Sequence, residues 1–215
     1  MKPIWVRKGN VRSKTGIWGA TDEDVKAVRA VMANGPVECA SDGSVMGKKS
    51  AVAVWFGNRD VEDGVMTSRE VRGYPHDSGR AELDGPILAL EVLKRIEEVY
   101  GETCEVKLWT DSAEVVGVSK RDKLKLLPSR SCVRNADMLL HKRHLVETYG
   151  GKVDARKVKA HQDKDVKYAD LSYEARMNVD CDGAAKEEAM RAEGSDYVDE
   201  MPEGVKALMW SSWGV

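Results

Sequence analysis

No apolar run in the 215 residues approaches the length of a membrane span, and the opening MKPIWVRKGN lacks the apolar centre of a secretory signal. A soluble protein in the cytoplasm or nucleus is expected, with no membrane partner. Cys39, Cys104, Cys132 and Cys181 form no CxxC pair and no zinc spacing. Reduced thiols packed as small apolar groups are the reading that remains. Neither sign of charge dominates: 34 basic side chains stand against 36 acidic ones, a net of −2. That average neither points to nucleic acid nor excludes it, because placement on the surface matters more than the sum. Internal repeats and low-complexity tracts are missing too. With 42% apolar residues the chain can bury one good core and carry arms, but not a second full catalytic domain.

Residues 1–20 hold five basic side chains, Trp5 and Trp18, and no acids. This is either an arm for a phosphate backbone with aromatic stacking or a linker trimmed from something larger, and the linker is favoured. Thr21 to Gly35 reads as a short edge helix with Thr21 as N-cap and Asn34-Gly35 as its stop. Three strands follow at hairpin spacing, about 37–42, 50–57 and 64–72. The period then changes to helical from Ser78 to Gly101, with Pro86 inside the helix, where it should free the Glu82 carbonyl and bend the axis. Glu105 to Ser112 is a fourth strand ending in an acid, followed by a short helix. Residues 119–134 are loop-like and one-sidedly basic, which is either a solvated face or a phosphate contact. A helix from Asn135 to Tyr149 turns Met138, Leu139, Leu145 and Val146 to the core. Val153 to His161 is a fifth strand, and a last helix runs from about Glu174 to Ala192. The tail is acidic and then carries Trp210 and Trp213. The expected organisation is an arm with a short helix over 1–36, a domain over 37–192 and a tail over 193–215. A meander followed by strand-helix alternation predicts an α/β fold: a five-stranded mixed sheet with helices on both faces.

In such a sheet strands one and four can lie side by side, and they carry Asp42 and Asp111. Glu82 falls in the first turn of the helix between them, and Asp182 near the start of the last helix, with Asn178 one turn earlier on the same face. Asp180 competes with Asp182 for that place, and the Asn178 spacing and the following Gly-Ala-Ala favour Asp182. Asp42 alone would pass for a turn-capping acid before Gly43. Four converging carboxylates, however, repel one another and persist only if cations offset the charge. Hard oxygen ligands suit Mg2+, or Mn2+, and two such ions about 4 Å apart clamp the entering and leaving oxygens of a phosphoryl transfer.

Ser41-Asp42-Gly43-Ser44, Arg80-Ala81-Glu82-Leu83, Trp109-Thr110-Asp111-Ser112, and Val158-Lys159-Ala160-His161 leading to Asn178 and Asp182 together resemble ribonuclease H of type 1. The likeness covers about residues 37–192. The stretch from His161 through the long loop is most similar to ribonuclease H modules of eukaryotic retroelement reverse transcriptases. The resemblance implies the ribonuclease H fold and roles by position. Asp42 would bridge two metals, Glu82 and Asp111 would complete one and Asp182 the other, while His161 on a mobile loop would help deprotonate water or release product. Gly43, Ser44, Ser78, Arg80, Ser112 and Asn178 are the candidate substrate contacts, although surface polar residues of this kind usually do nothing specific. Three features depart from the pattern: a longer His161-to-Asp182 loop, Pro86 in the helix bearing Glu82, and a basic stretch after Val118 without tryptophans. No hybrid-binding module is recognisable in residues 1–36.

The activity implied is endonucleolytic cutting of the RNA strand of an RNA/DNA hybrid, leaving a 5′ phosphate, with no small-molecule cofactor and with an upstream reverse transcriptase domain as a candidate partner. Two rivals stand beside it. One is an inactive connector with the same fold inside a polyprotein; the other is a different two-metal nuclease or strand-transfer enzyme.

Overall fold

The computed structural model describes residues 21–59, 61–71, 76–112, 116 and 135–192, the side chains of 61–63 and 136 excepted. The arm over 1–20, most of the short helix after Ser112, the basic stretch over 119–134, Cys132 and the tail over 193–215 lie outside the described residues.

Helix α1 (Asp22–Met32) starts as its sequence dictates: the Asp24 N–H donates to Thr21 Oγ1 and the Thr21 N–H to Asp24 Oδ2, closing a capping box. Its Val25 and Val28 enter the same core as the sheet. Among the described residues, α1 thus packs into the same core as the strands that follow it. Strands β1 (Val37–Met46), β2 (Lys49–Asn58) and β3 (Val61–Glu70) form the antiparallel meander. β1 runs four residues past Asp42, and β3 lies earlier than the 64–72 its sequence suggested. Strands β4 (Val106–Thr110) and β5 (Val153–Lys157) add in parallel, giving the order β3-β2-β1-β4-β5. β5 ends short of His161. The Val158 N–H still donates to the Thr110 carbonyl at 3.0 Å, after which the chain leaves the sheet.

Helix α2 (Ser78–Tyr100) is capped by Asp77, whose Oδ1 accepts from the Arg80 N–H, and is stopped by Gly101 at φ 69°. It runs through Pro86 without a break. Residues 83–93 are all buried, so packing on every side holds the turn that Pro86 leaves without a donor. Leu88, Val92, Leu93 and Ile96 fill the core beneath β1, β2 and β4 with Val37, Cys39, Val52, Val54, Phe56 and Leu108. Helix α3 (Ala136–Thr148) packs Met138, Leu139 and Leu145 on Leu83, Ile87 and Leu90. Val146, expected in the core, is 39% exposed, and Leu140 is buried instead. Helix α4 (Tyr173–Arg191) covers the opposite face. There Met177, Cys181, Ala184 and Ala185 meet Ala40, Ala53, Trp55 and Met66, and the small side chains of Ala40, Ala53, Cys181, Ala184 and Ala185 let helix and sheet lie close. The Cys181 thiol donates to the Ala40 carbonyl, and burial pushes the Cys39 and Cys181 thiols well up, so both remain protonated.

Two glycines set how near α2 comes to β1. A Cβ on Gly43 would stand 2.6 Å from the Ala81 carbonyl carbon, and one on Gly85 would stand 2.6 Å from Ser41 Cβ. At Gly43 the obstacle is backbone, which cannot rotate away. Gly43→Ala should therefore cost about 1–3 kcal/mol by overpacking, read as a lower urea midpoint with an unchanged slope. An unaltered midpoint would mean that α2 is free to shift.

Candidate active site

The register of the parallel pair does the first part of the assembly. Ala40 lies opposite Trp109, so two residues further on Asp42 and Asp111 stand level at the same end of neighbouring strands. The missing Cβ at Gly43 then lets Ala81 lie against β1, and the next residue, Glu82, acts electrostatically on Asp42. Glu82 is the fifth residue of α2, one turn later than expected, and Asp182 lies in the middle of α4 rather than near its start. The close packing of α4 on Ala40 brings Asp182 to the same place from the other face.

Electrostatics report the convergence. The Asp42 carboxyl is pushed up to about 8, first by burial and then by the charges of Asp111, Asp182 and Glu82, against a single Gly43 N–H at 2.8 Å that pulls the other way. Burial also raises Asp111. Its own backbone N–H and the nearby His161 and Lys157 oppose that shift, and Asp182 adds to it. His161 thus sits within electrostatic reach of Asp111. It is exposed and holds a left-handed backbone, φ 50°, which costs a non-glycine residue energy and is typical of functional positions.

Asp180 and Asp182 part company. Tyr168 Oη donates to Asp180 Oδ2 at 2.8 Å, away from the acidic cluster, whereas Asp182 acts on both Asp42 and Asp111. Asp182 already carries a cation, Lys186 Nζ at 2.5 Å, one helical turn on. Sequence reasoning passed over Lys186 and Lys157. The i,i+4 spacing from Asp182 would have found the first.

The candidate substrate contacts divide. Ser78, at the exposed first position of α2, and Ser44, partly exposed on β1, are open to solvent. Gly43 serves packing. Arg80, Ser112 and Asn178 are buried and present no open surface in this arrangement. For Arg80 the reason is plain: a buried guanidinium needs a carboxylate, and Asp137 on α3 supplies both oxygens at 2.6 and 3.2 Å. Asn178 Nδ2 is a buried donor without a partner among the described residues, a cost that a structural role does not explain.

Among the described residues no three His, Cys, Asp or Glu side chains stand close enough to grip an ion as they are. The donor set nevertheless fits a hard divalent cation in its chemistry. It consists of four carboxylates, burial and then the neighbouring negative charges favour a proton on Asp42, and a lysine ammonium already rests on the fourth acid. Mutual repulsion keeps such oxygens apart until a cation draws them in.

No family model matches the chain, and no curated protein is similar to it in sequence. Solved structures are similar. LC9-RNase H1, a type 1 RNase H with the type 2 active-site motif, is 18% identical over 81% of this chain and 80% of its own, at a TM-score of 0.52. RNase H1 from the halophilic archaeon Halobacterium salinarum NRC-1 is 20% identical over 74% of this chain and 100% of its own, at 0.49. LC11-RNase H1 in complex with RNA/DNA hybrid is 17% identical over 69% and 98%, at 0.44. The likeness to LC9-RNase H1, together with the strand order β3-β2-β1-β4-β5 and helices on both faces, gives this chain the ribonuclease H-like fold.

Proposed function

We propose that the protein is a metal-dependent endonuclease that hydrolyses the RNA strand of RNA/DNA hybrids. The observation that carries this reading is the meeting of three acidic fields on Asp42, from a second strand and from helices on opposite faces of the sheet. A fold gains no stability from such repulsion, so its use lies in the cation it accepts.

Asp42, Glu82, Asp111 and Asp182 would hold the ions, Mg2+ or Mn2+. Such ions supply two things: neutralisation of charge on the phosphoryl oxygens and an acidified water able to give up its proton near neutral pH. The chain's own groups do the rest. Lys186, paired with Asp182 and half exposed, would yield that carboxylate to a divalent ion, since its ammonium can swing into solvent at little cost. His161, beside Asp111 and open to solvent, accepts the proton of the attacking water or delivers one to the leaving oxygen. Water attacks phosphorus in line, the P–O3′ bond breaks, and the products are a 3′ hydroxyl and a 5′ phosphate. Discrimination would rest on the 2′ hydroxyl and minor-groove shape, with Ser44 and Ser78 placed to meet the backbone.

The finer placement proposed is the ribonuclease H module of a retroelement, working beside a reverse transcriptase domain inside the cell. The free thiols of Cys39, Cys104 and Cys181 support the intracellular part, and no helix among the described residues is long and apolar enough to cross a membrane.

The test is cleavage of labelled RNA/DNA hybrid, duplex DNA and duplex RNA, each with Mg2+ and with EDTA. Only the hybrid should be cut, only with Mg2+, and the RNA fragments should carry 5′ phosphates. Cutting of duplex DNA would transfer the protein to another two-metal nuclease class. No cleavage of any substrate would make it a connector.

A further inference from the structure

The loop carrying His161 is tied down at its ends and almost nowhere else. At the start, Val158 is buried beside Trp109 and its N–H reaches Thr110; at the finish, Leu171 is buried against Val158 and Ala175. Between them the bonds are internal to the loop. Gln162 Nε2 donates to the Lys159 carbonyl, Lys164 N–H to His161, Asp165 and Val166 N–H to Gln162, and Asp170 N–H to Lys167. The two short turns at Gln162–Lys164 and Tyr168–Asp170 therefore stiffen the loop without fixing where it lies. Among the described residues, one hydrogen bond joins residues 159–170 to another element. It runs from Tyr168 Oη to Asp180 Oδ2 on α4, at 2.8 Å.

That bond spans two things the chemistry needs in register. Asp180 sits on the helix that delivers Asp182, two residues before it, and Tyr168 is in the loop that delivers His161. Arg176, one turn before Asp180, places a positive charge near both partners. His161 itself is held in a left-handed conformation that a free loop would relax.

We propose that Tyr168 and Asp180 form a latch that fixes the His161 loop against helix α4, and that this pair is a positioning element for His161 at the Asp42–Asp111 site. The inference rests on the nuclease reading for its catalytic consequence and on geometry alone for the latch. Opening the latch lets the loop swing on its Val158 and Leu171 anchors, so His161 spends less time beside Asp111 and turnover slows. Substrate affinity is carried elsewhere and does not change.

The variants are Tyr168→Phe, Asp180→Ala and Asp180→Asn in the full chain. A partly exposed hydrogen bond to a carboxylate holds a loop closed by roughly 3- to 10-fold, so amide exchange over residues 162–170 should quicken by about that factor in Tyr168→Phe and Asp180→Ala. Asp180→Asn keeps an accepting oxygen and should exchange nearly as slowly as the parent. The double variant Tyr168→Phe with Asp180→Ala should be no looser than either single. In hybrid cleavage, kcat should fall by about the same 3- to 10-fold with KM unchanged, and Tyr168→Phe should have no further effect in a His161→Ala background. A merely structural tyrosine would lower kcat equally in both backgrounds. Unchanged exchange in Tyr168→Phe overturns the latch, and an equal loss of kcat with and without His161 overturns its positioning role. A parent protein that leaves the hybrid intact, while Tyr168→Phe still loosens the loop, overturns the nuclease reading and upholds the latch.

Discussion

Asp42→Asn is expected to lower hybrid cleavage by on the order of 10³-fold or more, and at the same time to raise the melting temperature of the metal-free protein. The two effects have one origin. Asp42 stands where burial and three neighbouring charges resist its ionisation, up to a pH of about 8. In the unfolded chain an aspartate ionises near pH 4. Between those values the native state therefore holds a proton that the unfolded state has lost. Stability contributed by this group is full below about pH 4 and is lost as pH rises toward 8, at a slope approaching about 1.4 kcal/mol per pH unit. Asparagine has no proton to lose, so urea unfolding in EDTA should give a flatter pH profile for the variant, and the gap between the two proteins should be widest at pH 8. Adding Mg2+ should stabilise the parent at pH 8 by preferential binding to the native state and leave Asp42→Asn nearly unmoved. A lower melting temperature for Asp42→Asn throughout would mark Asp42 as a structural acid and remove the basis of the functional reading.

The second large effect is expected far from the chemistry. Arg69, on β3, is 6% exposed and faces two buried acids of α2. Its Nε and Nη2 hold both oxygens of Asp84 at 3.1 and 2.5 Å, and Nη1 holds Glu91 Oε2 at 2.5 Å. Burial alone would favour loss of the arginine's charge, but the two carboxylates override it and raise its pKa. His141 Nε2 lies 3.6 Å from the other Glu91 oxygen. Arg69→Met keeps the volume of the stem and strips both carboxylates of their guanidinium, which should cost about 3–5 kcal/mol. Arg69→Lys should recover little, because an ammonium cannot reproduce the bidentate fork. Replacing all three by apolar residues of similar volume should return most of the stability. A loss under about 1 kcal/mol for Arg69→Met would mean that water reaches the cluster and screens it.

Much of this architecture was legible in the chain. Thr21 and Gly101 mark helix ends by chemistry that is local to a few residues, and both behave as their types require. The change from strand spacing to helical spacing at Ser78 located α2 to within a residue, because burial on one face imposes its period on the sequence. Periodicity says less about partners. Val146 and Leu140 both lie near the apolar side of α3, and only the packing of Leu83, Ile87 and Leu90 decides which is covered. Arg80 looked like a backbone contact because an arginine beside a motif carries no sign of its partner, and Asp137 is distant along the chain. The Arg69 cluster was hidden for the same reason: nothing beside Arg69 along the chain shows that it is buried or that Asp84 and Glu91 wait there.

By itself the sequence determined the order of strands and helices, the caps, and the presence of four acids with a histidine at spacings that fit one pocket, since these follow from residue type and short-range geometry. Tertiary structure decided the rest. The Ala40–Trp109 register sets Asp42 level with Asp111, and the absence of a Cβ at Gly43 lets Glu82 approach. Tyr168 claims Asp180 and so separates it from Asp182. Each of these depends on atoms brought together from distant parts of the chain, where a difference of one residue in register or one methyl group in contact changes which carboxylates meet.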